Sequence, residues 1–165
     1  MIRLVLYLLA SLSLIAPAGA SDAGNPRDVA EAYLAADERQ DYEAMRVIYA
    51  DDARFIDPTS FAIPLVTPPI NWLGADAIIA GISSWGVDRL SYEIDRSYEA
   101  SNAVIFDGST IVTYVSELGE RQFNYPIITI ITVQDGKVVE HRDYTDFAGA
   151  LELPAPPSPQ SGRDE

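Results

Sequence analysis

Four side chains in this sequence are able to move a proton and sit in surroundings that would let them: Tyr33, Asp57, His141 and Asp143. A carboxylate acts as a base near neutral pH only when its pKa climbs, and partial burial does this by desolvation. Asp57 has apolar company for that role, with Phe55 beside it and Trp72 and Trp85 further along. The same Asp57 precedes Pro58, where an Asp commonly ends a strand and accepts turn hydrogen bonds. Its motif fits either role. His141 and Asp143 are two residues apart in an extended segment, so they share one face of a strand. Val139 has their parity and argues that this face is buried, while Val138 and Tyr144 argue the same for the other; facing inward, the pair would share a proton or a water and position a polar substrate group, and facing solvent it would be ordinary surface. Tyr33 lies on an apolar helical stripe, so its ring should face the interior and its hydroxyl should seek a partner, either as a core Tyr or as a donor to a developing negative oxygen.

Other chemistries find less support. With one His and no Cys the chain lacks the donors of a usual zinc site and any thiol nucleophile, and no Gly-rich phosphate loop occurs. No metal or cofactor is expected. Gly81-Ile82-Ser83-Ser84-Trp85-Gly86 resembles a nucleophile elbow but is one residue too long and ends a helix, so it reads as structure.

The elements that must position these residues can be read from periodicity. Asn25-Pro26 forms a cap and first helical position, and Val29, Tyr33 and Ala36 recur at helical spacing, predicting a helix over 26–39. Tyr42, Met45 and Ile48 predict a second over 42–49, followed by a short alternating strand at 53–58. Prolines 64, 68 and 69 make 59–73 a long loop and a candidate lid. Ile78, Ile79, Ile82 and Trp85 predict a third helix over 74–86. Strands are expected at 90–99, 102–106, 110–117, 121–133 and 137–146, punctuated by turns at Asp107-Gly108, Gly119 and Asp135-Gly136. Helices first and strands afterwards predict an α+β domain whose helices cover one face of a single curved antiparallel sheet, with room for a small hydrophobic molecule between the layers. The run Ile127 to Val133 is apolar at both parities, so both faces of the sheet should be covered, the outer one by a second copy in a homodimer.

The 165 residues begin with a lone Arg3, an apolar run from Leu4 to Ile15 and the small residues Ala18-Gly19-Ala20. This reads as a signal peptide over 1–20, with a periplasmic or secreted domain at 21–150 and a disordered Pro-rich tail at 151–165. The formal charge of −14, one unit more negative once Arg3 is removed, makes nucleic acid and anionic membrane poor partners. Without Cys there are no disulfides, so stability must come from a packed core.

The phrases Ala32-Tyr33-Leu34-Ala35-Ala36, Tyr49-Ala50-Asp51-Asp52-Ala53, Ile56-Asp57-Pro58 and Gly136-Lys137-Val138-Val139-Glu140-His141-Arg142-Asp143-Tyr144, in this order, give the chain a further character. Over about 26–150 it resembles the nuclear transport factor 2-like superfamily, which includes SnoaL-like polyketide cyclases and ketosteroid isomerase. The resemblance implies a cone of three N-terminal helices on the curved sheet. It also implies acid–base chemistry on a small, largely apolar carbonyl compound, with Asp57 in the general-base position and Tyr33 in the oxyanion position. The isomerase's third residue, a protonated Asp, corresponds to Ile128 here. The His141-x-Asp143 phrase is similar to that of the cyclases and makes Asp143 a second candidate base. Limonene epoxide hydrolases share the Arg-Asp-Tyr of 142–144, but their Arg-x-Asp on a preceding strand has no match in Ile111 to Glu117. The resemblance equally admits a module without catalysis, whose cone binds a hydrophobic ligand or serves as a dimeric scaffold.

Overall fold

The computed structural model describes residues 24–63 and 68–154. The leader at 1–20 and the tail beyond 154 lie outside the described residues. Helix α1 (Pro26–Glu38) starts as its sequence dictates, with the Asn25 side chain accepting from the Arg27 amide and Pro26 in the first turn. Helix α2 (Tyr42–Ile48) is capped by Asp41, whose carboxylate accepts from the Ala44 amide. Strand β1 (Tyr49–Asp57) follows without a break, four residues earlier than expected at its start. A 3-10 helix (Pro58–Ala62), strand β2 (Ile70–Leu73) and helix α3 (Ala75–Ser83) come next. The expected loop over 59–73 is therefore partly regular. Pro69 stands just before β2, where a missing amide proton removes no ladder bond, and β2 pairs antiparallel with β1.

The remaining strands are β3 (Arg89–Ala100), β4 (Ala103–Ser116), β5 (Gly119–Gln134), β6 (Lys137–Thr145) and β7 (Leu151–Leu153). They form one seven-stranded sheet in the order β2-β1-β6-β5-β4-β3, with β7 on β5. The sheet is antiparallel except where β1 runs parallel to β6, a pairing no hairpin pattern could show. Leu151–Leu153, expected in the Pro-rich tail, instead pair with Gln122 to Asn124 and extend the domain.

Asp107-Gly108 was expected to turn, yet β4 runs straight through it. The partner strand β3 shifts register between Ile94 and Arg96, opposite this point, so the sheet bends here instead of reversing. Gly108 permits the bend because a Cβ there would collide with the Glu93 carbonyl oxygen. Gly108→Ala is expected to destabilise the domain by about 1–3 kcal/mol, as overpacking against backbone does, measurable by urea unfolding. The Asp135-Gly136 turn does form, both residues having positive φ (51° and 72°).

α1 packs across β3, β4, β5 and β6, while α3 covers β1 and β2. The core between these layers holds Tyr33, Met45, Tyr49, Phe55, Ile78, Val104, Ile131 and Val138. Beside this core a hollow remains between the helices and the inner face of the sheet.

Candidate functional site

That hollow has a volume of about 700 Å³ and is lined by residues from α1, β1, α3, every strand from β2 to β6 and the segment after β6. Asp37, Asp57, His141 and Asp143 are all in its wall.

His141 and Asp143 do point inward together, both buried. The apolar flank that supports them is Val138, not Val139. Thr132 pairs with Glu140 and Val133 with Val138, so Val139 is the extra residue of a bulge and the parity changes across it. Beyond the bulge His141, Asp143 and Thr145 face the cavity.

The imidazole is held on both sides. The Tyr33 hydroxyl lies 3.0 Å and the Tyr49 hydroxyl 2.9 Å from Nδ1, and Tyr49 also donates to Tyr33 at 3.1 Å. Burial pushes both phenols well above their ordinary pKa, so they stay protonated; the single Tyr49 proton goes to Tyr33, and the Tyr33 hydroxyl donates onward to Nδ1. Nδ1 is then the acceptor, which places the ring proton on Nε2, 3.0 Å from Asp143 Oδ1. Thr129 Oγ1 donates to the same oxygen at 2.7 Å. Asp143 Oδ2 makes no hydrogen bond among the described residues, and no fully buried side-chain polar atom is left unpaired, so Oδ2 opens to the cavity. Tyr33 thus faces the interior as its stripe predicts, but its hydroxyl meets His141 and Tyr49, and the residue is not part of the cavity wall. Tyr49→Phe removes one donor from this network and is expected to cost about 1 kcal/mol in urea unfolding.

Asp57 is buried, two residues along β1 from Phe55, whose ring centroid lies 5.4 Å from that of Trp72 and 6.2 Å from that of Trp85. Desolvation raises its pKa, opposed by the hydrogen bonds of Thr59 and Thr145. Its Oδ1 accepts from the Thr59 amide at 2.9 Å and hydroxyl at 2.5 Å, and its Oδ2 accepts from Thr145 Oγ1 at 3.1 Å. Asp57 caps the 3-10 helix and ties it to β6, so the turn-capping role is the one its geometry displays.

Asp37 was not among the residues singled out from sequence. It stands one turn after Tyr33 on the inner face of α1 and is only 6% exposed. Burial lifts its pKa from 3.8 to about 6, with the Tyr92 hydrogen bond opposing. Tyr92 donates to Oδ2 at 2.7 Å, and Oδ1 has no partner among the described residues. An acid four residues from a buried Tyr was the available signal. Thr129 had one as well, being the polar residue between the inward-facing Ile127 and Ile131 of β5.

Ile128, the position matched to the isomerase's protonated Asp, is 41% exposed and alternates outward between buried Ile127 and Thr129. A carboxyl there would point away from the cavity. The cavity-lining residues of β4 are Thr110, Val112 and Tyr114, with no Arg-x-Asp pair.

A family model described as a SnoaL-like domain matches residues 30–141. The chain belongs to the SnoaL-like family. Solved structures that resemble this SnoaL-like domain include candidate SnoaL-like polyketide cyclases from Shewanella putrefaciens CN-32 and Shewanella denitrificans OS-217. The first is 21% identical, with TM-score 0.65 over 74% of this chain and 90% of that one. The second is 20% identical, with TM-score 0.64 over 74% and 91%. A limonene-epoxide-hydrolase-like epoxide hydrolase from M. tuberculosis is 18% identical, with TM-score 0.56 over 73% and 82%. Such identities establish the shared α+β cone. No curated protein matches the chain.

Proposed function

We propose that this SnoaL-like protein is an exported acid–base enzyme of the isomerase or cyclase type that moves a proton on a small, largely apolar carbonyl compound. The observation that carries the reading is Asp143. It is a cavity carboxyl with one oxygen oriented by Thr129 and His141 and the other left open to a ligand. In this role Oδ2 removes a proton from the carbon next to the carbonyl, leaving an enolate. The same carboxyl returns the proton to a second carbon, so the reaction balances without another reactant. His141 donates to Oδ1 throughout and stabilises whichever form the carboxyl takes, while Tyr33 and Tyr49 hold the ring in that tautomer.

The cavity's aromatic and aliphatic walls favour a small hydrophobic partner, and the leader-like composition of residues 1–20 supports an enzyme working in the periplasm or outside the cell. A homodimer belongs to the same proposal. Ile128 pairs with Tyr144 across the outer face of the sheet, both about two-fifths exposed (41% and 40%), in the position a second copy would cover. The experiment is deuterium incorporation. Small ketones incubated with the protein in D2O should exchange their α-protons faster than in buffer, followed by NMR. If no ketone of a broad panel exchanges, the enzymatic reading falls and the cone is a binding module.

A further inference from the structure

We infer that the compound taken by this site carries a positively charged nitrogen, as a quaternary or protonated amine, and that Asp37 and Asp143 are its counter-charges. The inference rests on the reading above and names the class of its substrate.

The wall of the cavity is one-sided in charge. Asp37, Asp57, Asp143 and Glu152 contribute carboxyls; the one basic side chain in the described wall is His141, held in its neutral tautomer and bonded to Asp143 Oδ1, and among the described residues no Lys or Arg faces the space. Glu152 is already paired with Arg121, whose guanidinium donates to both of its oxygens. Asp57 is answered by three hydrogen-bond donors. Asp37 and Asp143 differ from these. Each is more than nine-tenths buried, and each keeps an oxygen, Oδ1 of Asp37 and Oδ2 of Asp143, with no protein partner and with access to the cavity.

Buried carboxylates without cations are costly, so proteins rarely leave two of them facing one hollow. A ligand that brings a positive charge removes that cost, whereas an anionic ligand adds to it. The rest of the wall suits the same guest. Trp85, Tyr42, Tyr114 and Tyr125 line the same space, and aromatic rings are the surroundings that hold alkylammonium groups elsewhere.

The chemistry points in the same direction. Removal of an α-proton leaves negative charge on the carbonyl oxygen. The hydroxyl expected to steady it, that of Tyr33, is committed to His141 and Tyr49. In a wall of carboxyls and neutral phenols, a cationic nitrogen within the substrate offsets the enolate charge that the protein does not meet with a cation of its own.

The test compares three probes of similar shape on the full-length chain, by calorimetry and by fluorescence of the cavity Trp85. They are benzyltrimethylammonium, its uncharged carbon isostere 2,2-dimethylpropylbenzene, and phenylacetate. The cation should bind at least about tenfold more tightly than the isostere, and phenylacetate more weakly than either. Asp37→Asn and Asp143→Asn should each reduce the cation's advantage several-fold, and the double variant should abolish it while the isostere's affinity is unchanged. Thermal melts confirm that each variant is folded. Equal binding of cation and isostere, or an advantage that survives in the double variant, overturns the inference. If neutral ketones nonetheless exchange their protons, the acid–base reading stands without it. If no probe of any charge enters, and no ketone exchanges, both fall together.

Discussion

Asp143→Asn is expected to slow α-proton exchange by two to four orders of magnitude, the usual contribution of a positioned general base. The substitution separates basicity from shape. The asparagine carbonyl can still accept from Thr129 Oγ1 and His141 Nε2, which both approach Oδ1 in the native chain. The amide nitrogen then occupies the position of Oδ2, where it can donate a proton but take none. Folding should be nearly undisturbed, so urea unfolding of the variant serves as the control. Asp57→Asn is the informative comparison. Both Asp57 oxygens are occupied by Thr59 and Thr145, so its replacement should act on the stability of the 3-10 helix more than on exchange. A fall in exchange for Asp57→Asn with none for Asp143→Asn would reassign the base to Asp57.

A second large effect concerns stability and its dependence on pH. Burial raises the Asp37 pKa from 3.8 to about 6, so the folded chain holds this proton more tightly than the unfolded one. The resulting contribution to stability is fully present below pH 3.8 and is lost as pH rises through about 6. The difference between the two pKa values corresponds to about 3 kcal/mol. Asp37→Asn cannot ionise and still offers Tyr92 an amide oxygen. The variant should therefore exceed the native chain by about 2–3 kcal/mol at pH 8, with the advantage shrinking to near zero at pH 4. Urea unfolding of both proteins across this range checks the sign, since other titrating groups cancel in the difference. An advantage that is constant with pH would show that ionisation of Asp37 is not its source. A stabilised variant with weakened cation binding would fit a carboxyl retained for its ligand at the expense of the fold.

The architecture was legible because its signals are local. Asn25-Pro26 starts α1, the Tyr42-Met45-Ile48 spacing makes α2, and Asp135-Gly136 closes the hairpin between β5 and β6. Each depends on residues a few positions apart, which is the range over which side-chain periodicity and turn chemistry act. Where a local signal misled, a distant partner was the cause. Asp107-Gly108 has turn composition, but β3 and β5 pair along both sides of it and hold it extended. Leu151–Leu153 look too short to hold a conformation until β5 offers its edge.

The site divides in the same way. That His141 and Asp143 share a face follows from the two-residue repeat of a strand, and that Tyr33 turns inward follows from its helical stripe, so the amino-acid sequence alone decided those orientations. Which hydroxyl meets which nitrogen was decided by the fold, because Tyr33, Tyr49 and His141 come from α1, β1 and β6 and are joined by the parallel pairing of β1 with β6 and by the packing of α1 on the sheet. The same is true of Asp37, an unremarkable helix acid until Tyr92 of β3 and the cavity wall enclose it. Desolvation and hydrogen bonding depend on what stands within a few ångströms, and for these residues nearly all of that is supplied by segments remote in the chain.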